Sequence, residues 1–107
     1  SCIRDYIHVS DLARAHLLSI DFLKRENRDL VANLGTSRGI SVLEILKIAR
    51  DVSDNEFKFE LGLRRAGDPA IVVAKADLAT KLLGWKPNYS DLQTIINTMI
   101  SAYRKNY

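Results

Sequence analysis

A single cysteine among 107 residues leaves this chain without an internal disulfide, so a reducing, cytoplasmic setting is the simplest expectation. No motif surrounds Cys2 to activate it, and it reads as structural. Long apolar runs are also missing, which excludes a membrane-spanning helix of about 20 residues. Arg4, Asp5 and His8 interrupt the stretch where a secretory apolar core would lie. The five glycines stand at 35, 39, 62, 67 and 84, and no three of them build G-x-G-x-x-G or a Walker loop. Four places beyond Tyr6, Tyr89 and Tyr103 stand Ser10, Gln93 and Tyr107, so there is no Tyr-x-x-x-Lys pair either. His8 and His16 have no cysteines or carboxylates spaced to complete a metal shell; His16 reads as helix surface and His8 as a structural or capping residue. The net charge of +3 is modest, acids and bases are interspersed, and aromatics do not alternate with basic residues, which argues against nucleic acid as a partner.

What is present is an ordinary globular composition, 47% hydrophobic and 27% charged, in a chain long enough for one domain at most. Strand and helix signals alternate without repeats or linkers. Arg4 to Val9 is β-prone, and Ser10 is placed to cap a helix running to about Lys24, with Leu12, Ala15, Ser19, Phe22 and Leu23 on one stripe. Leu30 to Leu34 reads as a short strand. Ser41 and Glu44 form a capping box that opens a helix burying Val42, Ile45, Leu46, Ala49 and Val52, which Ser53 and Asp54 stop. Phe57, Phe59, Leu61 and Leu63 alternate with Lys58, Glu60 and Gly62, the pattern of a strand with one buried face.

Beyond them Arg64–Asp68 is expected to form a loop held extended by Pro69, with a short strand over residues 70–74. A helix from about Ala76 to Leu83 ends on Gly84, with Pro87 beyond. Ser90 and Gln93 suggest a second capping box, ahead of a last helix with Leu92, Ile95, Ile96, Met99, Ile100 and Tyr103 on its core side. The expected fold class is α/β, with four short strands and about four helices. So few strands need cover from a helix layer or another domain, so an apolar surface is expected here.

The polar residues that stand out are Arg4, Arg64, Arg65 and Asp68. A planar guanidinium makes paired, charge-assisted hydrogen bonds to phosphate oxygens, and a carboxylate accepts both hydroxyls of a ribose. Two loops far apart in sequence both supply arginine beside strand ends, where ligands of α/β folds collect. Asp5 directly follows Arg4 and points to the opposite side of an extended chain, which suits a structural hydrogen-bonding role.

Four runs carry a resemblance: Arg-Asp-Tyr-Ile-His-Val-x-Asp-Leu-Ala-x-Ala-His over 4–16, Asn-Leu-Gly-Thr-x-x-Gly-x-Ser-Val-Leu-Glu over 33–44, Arg-Arg-x-Gly-Asp over 64–68 and Leu-Gly-Trp-x-Pro over 83–87. In this order they resemble the C-terminal third of the UDP-glucose 4-epimerases, which are extended short-chain dehydrogenase/reductases. The resemblance implies that residues 1–107 form the C-terminal, sugar-nucleotide-binding portion of such an enzyme, with the Rossmann domain that holds NAD, and all catalytic residues, outside this chain. By position it assigns substrate binding to three residues: Arg4 and Arg65 at the diphosphate, and Asp68 at the ribose hydroxyls. Arg64 supports the loop. It further implies a UDP-sugar substrate, a homodimeric full-length enzyme, and no membrane or nucleic-acid partner. Two positions depart from the family pattern: Lys75, where relatives place Asp or Asn to cap the next helix, and Ser37, where a glycine is common. The alternatives are a non-catalytic truncated or interaction module, and a sibling epimerase or dehydratase acting on another UDP-sugar.

Overall fold

The computed structural model describes residues 1–106. It contains three two-residue strands and four helices: β1 (Ile3–Arg4), α1 (Val9–Glu26), β2 (Ile40–Ser41), α2 (Val42–Ser53), β3 (Ile71–Val72), α3 (Asp77–Leu83) and α4 (Leu92–Asn106). β1 is central in the order β2-β1-β3. It pairs antiparallel with β2, Ile3 opposite Ser41, and parallel with β3, Ile3 opposite Ile71. The α/β class with four helices is as expected, but three strands replace four.

Two expected strands are absent. Residues 30–34 run without a ladder partner, with Val31 89% exposed. Residues 57–63 alternate as a strand should, but Leu61 is 82% and Leu63 99% exposed, so that end of the apolar face meets solvent. Alternation specifies which side chains share a face; only a neighbouring strand makes the ladder. The run from Arg4 to Val9 is likewise paired only at its first residue. It leaves the sheet at Asp5, because α1 already begins at Val9.

Helix starts depend on contacts that local sequence does not contain. α1 is capped by His8 rather than Ser10, the His8 ring Nδ1 accepting from the Ser10 N–H at 3.0 Å. The capping box at α2 is formed as expected: Ser41 Oγ accepts from the Glu44 N–H, and the Glu44 carboxylate accepts from the Ser41 N–H. At α4 the box fails. Asp91 takes the capping role by accepting from the Thr94 N–H at 3.0 Å, while Ser90 is buried and turned to Asp11. Ala76 is the N-cap residue of α3 and offers no side-chain cap, so Lys75 is not itself the capping position; Gly84 closes the helix as expected. Ser37 adopts φ 62°, a left-handed conformation, which explains why glycine suits that position.

The core is small. Ala15, Ala76, Ala79 and Trp85 form its centre, with Ile7, Leu18, Ala32, Leu34 and Leu83 packed on it, where α1 meets α3. Trp85 is fully buried and its Nε1–H donates to the Asp11 carbonyl at 2.8 Å. Phe22 is buried too, with the Arg28 guanidinium 5.0 Å from its ring centre. α2 packs on α4 as a second layer, but no α2 residue is fully buried. On α4, Leu92 and Ile96 are core, whereas Met99 and Tyr103, expected inside, are 55% and 61% exposed.

Candidate functional site

Asp5 organises the ground beneath the site. Its carboxylate accepts from the Thr36 N–H at 2.9 Å, the Thr36 hydroxyl at 2.6 Å, the Ser37 N–H at 3.1 Å and the Ala74 N–H at 3.2 Å. These bonds join the turn before β2 to the strand end after β3, on the two sides of β1. Gly35 permits the close approach: a Cβ there would lie 2.5 Å from the Ala74 carbonyl oxygen and 2.8 Å from Asp5 Oδ2. Asp5 therefore has the structural role its position suggests.

On β1, one residue earlier, Arg4 reaches the other way. Its Nη2 donates to Asp68 Oδ1 at 2.7 Å and to the Pro69 carbonyl at 2.8 Å, and its Nη1 to the Ile3 carbonyl at 2.8 Å. Arg65 donates from Nη2 to the other Asp68 oxygen at 3.1 Å. Arg4, Arg65 and Asp68, read from the sequence as one set, thus meet around a single carboxylate although 60 residues separate the two arginines. The turn that delivers them is closed by the Asp68 N–H donating to the Arg65 carbonyl at 3.4 Å. Arg64, by contrast, is exposed and outside this cluster. The loop leaves no strand, contrary to expectation, since residues 57–63 are not paired.

Sequence reasoning missed two members. Cys2 Sγ lies 3.5 Å from Asp68 Oδ2, and the Pro69 carbonyl completes the surroundings of the Arg4 fork. No motif could have signalled either; both follow from strand pairing that brings residues 2–4 beside 68–72. The Arg65 hydrogen bond, the Cys2 thiol and the charges of Arg65 and Arg4 outweigh partial desolvation and hold the Asp68 carboxyl below the ordinary carboxylate value. Asp68 is therefore an anion at neutral pH.

Chemically, the cluster is two cationic forks bridged by one internal anion. Arg4 is half-buried and oriented by three acceptors, whereas Arg65 is 83% exposed and keeps most of its N–H groups toward solvent. Such a pair can take up an oxyanion, and Asp68 can accept from hydroxyls. The Cys2 thiol is turned onto the Asp68 carboxylate, and among the described residues no group of three or more His, Cys, Asp or Glu could hold a metal ion.

No family model matches the chain. It is 47% identical over 96 residues to the UDP-glucose 4-epimerase of Lacticaseibacillus casei, covering 90% of this chain and 29% of that protein. The matching proteins of Halalkalibacterium halodurans and Streptococcus mutans, at 43% and 42% identity over 29% and 32% of their lengths, carry the same name. A crystal structure of UDP-glucose 4-epimerase superposes with a TM-score of 0.93 at 42% identity, over 99% of this chain and 32% of the other. The Bifidobacterium longum UDP-glucose 4-epimerase, solved in complex with NAD+ and UDP, superposes with a TM-score of 0.87 at 35% identity, over 99% of this chain and 31% of the other. The chain therefore spans about a third of the length of the epimerases it matches, and the matched part is their C-terminal part.

Proposed function

We propose that this chain is the sugar-nucleotide-binding, C-terminal portion of a UDP-glucose 4-epimerase, an NAD-dependent isomerase that interconverts UDP-glucose and UDP-galactose. The observation that carries the reading is the meeting of Arg4, Arg65 and Asp68 in one cluster, in a chain whose curated relatives at 38–47% identity carry that name. Arg4 and Arg65 grip the diphosphate with charge-assisted hydrogen bonds, and Asp68 accepts the ribose hydroxyls. Arg4, oriented by the Ile3 and Pro69 carbonyls, sets the position; Arg65, more exposed and, among the described residues, held by Asp68 alone, completes the grip once the ligand arrives.

NAD finds no place among these residues. There is no glycine-rich strand-to-helix turn, and strands of two residues cannot build a dinucleotide-binding sheet. The cofactor and the proton-transfer residues belong to the part of the enzyme that this chain lacks, and the isolated chain is inactive. What these residues contribute is retention: holding the nucleotide end fixed keeps a reaction intermediate from escaping while its sugar changes face.

The apolar surface expected from the sequence supports the same reading. On α1, Val9, Leu17, Ile20 and Leu23 are 72%, 66%, 50% and 46% exposed, and Val31 lies bare nearby in sequence. A neighbouring domain of the full-length enzyme covers that face.

In the full-length enzyme, Arg4→Ala is expected to weaken UDP binding by about 1.5–3 kcal/mol, the range for a hydrogen bond to a charged group. Arg65→Ala costs less, about 1 kcal/mol, because its exposed charge is screened. Calorimetric titration with UDP measures both, and an affinity unchanged in the Arg4 variant removes the cluster from the site.

A further inference from the structure

The loop that brings Arg65 to the site is fastened from behind by Arg50, a residue that touches neither Arg65 nor Asp68. Arg50 lies in the last turn of α2, half-buried. Its Nη2 donates to the Phe57 carbonyl at 2.7 Å, and its guanidinium lies 5.2 Å from the Phe57 ring centre and 4.9 Å from that of Phe59. Its Nε–H is buried and finds no acceptor among the described residues, so the side chain is held by this stacking rather than by a full set of hydrogen bonds. Among the described residues no other hydrogen bond or ion pair ties residues 55–64 to the rest of the molecule. Leu61 and Leu63 are exposed and add no anchor.

We propose that Arg50 is a positioning residue for nucleotide binding, fixing Phe57 and Phe59 so that the Arg65–Asp68 turn starts from a set place; this rests on the function proposed above. With Phe59 held, the free loop shrinks from residues 55–67 to residues 60–67, and loop-closure entropy alone makes Arg65 roughly twofold more available at the site. Loss of the aromatic contacts adds to that. Lysine does not replace arginine here, because a compact, strongly hydrated ammonium does not offer the planar, delocalised charge that meets both rings and the Phe57 carbonyl at once.

The test uses the full-length enzyme with Arg50→Ala, Arg50→Lys, Phe59→Leu and, as the control for the site itself, Arg4→Ala. Arg50→Ala is expected to raise both the Kd for UDP and the KM for UDP-galactose about two- to tenfold, with kcat within about twofold of the parent. Arg50→Lys retains most of that defect. Phe59→Leu reproduces it in smaller measure and serves where the Arg50→Ala protein does not fold. If Arg4→Ala weakens UDP while the Arg50 and Phe59 variants bind it like the parent, the positioning role is wrong and the site stands. A kcat that falls with KM unchanged also overturns the role. If Arg4→Ala leaves UDP affinity unchanged, the site reading falls and the positioning role falls with it.

Discussion

Asp11 is fully buried, and its carboxylate accepts from the Asn88 N–H at 3.0 Å, the Tyr89 N–H at 2.9 Å and the Ser90 hydroxyl at 2.5 Å. Burial opposes ionisation, yet these bonds and the nearby His8 hold the carboxyl below its ordinary value. The Ser90 oxygen in turn accepts from the His8 N–H at 2.9 Å, so one charge joins the start of α1 to the start of α4. Asp11→Ala strands three donors and is expected to destabilise the intact protein by about 3 kcal/mol, since each unsatisfied buried donor costs about 1–3 kcal/mol. Urea unfolding at neutral pH measures it. The sign of the pH effect follows from the direction of the shift. A carboxyl held down in the folded state contributes stability that is fully present above its unfolded value of about 3.9 and lost as pH falls further. Stability should therefore drop on acidification below about pH 4, and less steeply in the Asp11→Ala protein. Asp11 stands in the run that carries the family resemblance, but nothing local marks it as a hub. Its partners lie 77 to 79 residues away.

At the scale of elements, local signals were legible where the partners are neighbours in sequence. Ser41 and Glu44 are three residues apart and cap α2 as their spacing implies. Ser41→Ala is expected to cost about 1 kcal/mol, the usual loss of an N-cap, with faster amide exchange confined to the first turn of α2. A loss spread over the whole chain would contradict that local role. The same pattern at Ser90 and Gln93 misleads, because the Ser90 hydroxyl is drawn to a buried charge and Asp91 takes over the cap. Strands fared worst. Residues 57–63 have the alternation of a half-buried strand, and 30–34 the β-prone composition, but both lack a ladder partner among the described residues. What joins β1 to its neighbours was readable only at Asp5, whose structural role follows from its opposition to Arg4 along an extended segment.

The molecule as a whole is loose for its mass. A folded monomer of 12.1 kDa exposes about 6,000 Å², whereas this chain exposes 8240 Å². Its radius of gyration is 16.6 Å, against about 13 Å for a compact chain of this length. The excess surface includes the apolar face of α1 together with Val31, Phe59, Leu61 and Leu63. Expressed alone, the 107 residues should bind a hydrophobic dye strongly and show no conversion of UDP-galactose with added NAD+. Measurable turnover would place catalytic residues inside this stretch and refute the assignment of chemistry to the rest of the enzyme.

The amino-acid sequence by itself determined the four helices, the cap of α2, the structural part played by Asp5 and the prominence of Arg4, Arg64, Arg65 and Asp68 as a polar set. Those depend on residue type and on spacing of a few positions, which the chain carries everywhere it goes. Only the tertiary structure decided that Arg4 and Arg65 share one carboxylate, that Cys2 and the Pro69 carbonyl join them, and that Asp11 and Arg50 brace the frame. Each of those contacts joins distant segments or turns on which way a side chain faces once the helices have packed, and neither spacing nor composition records that.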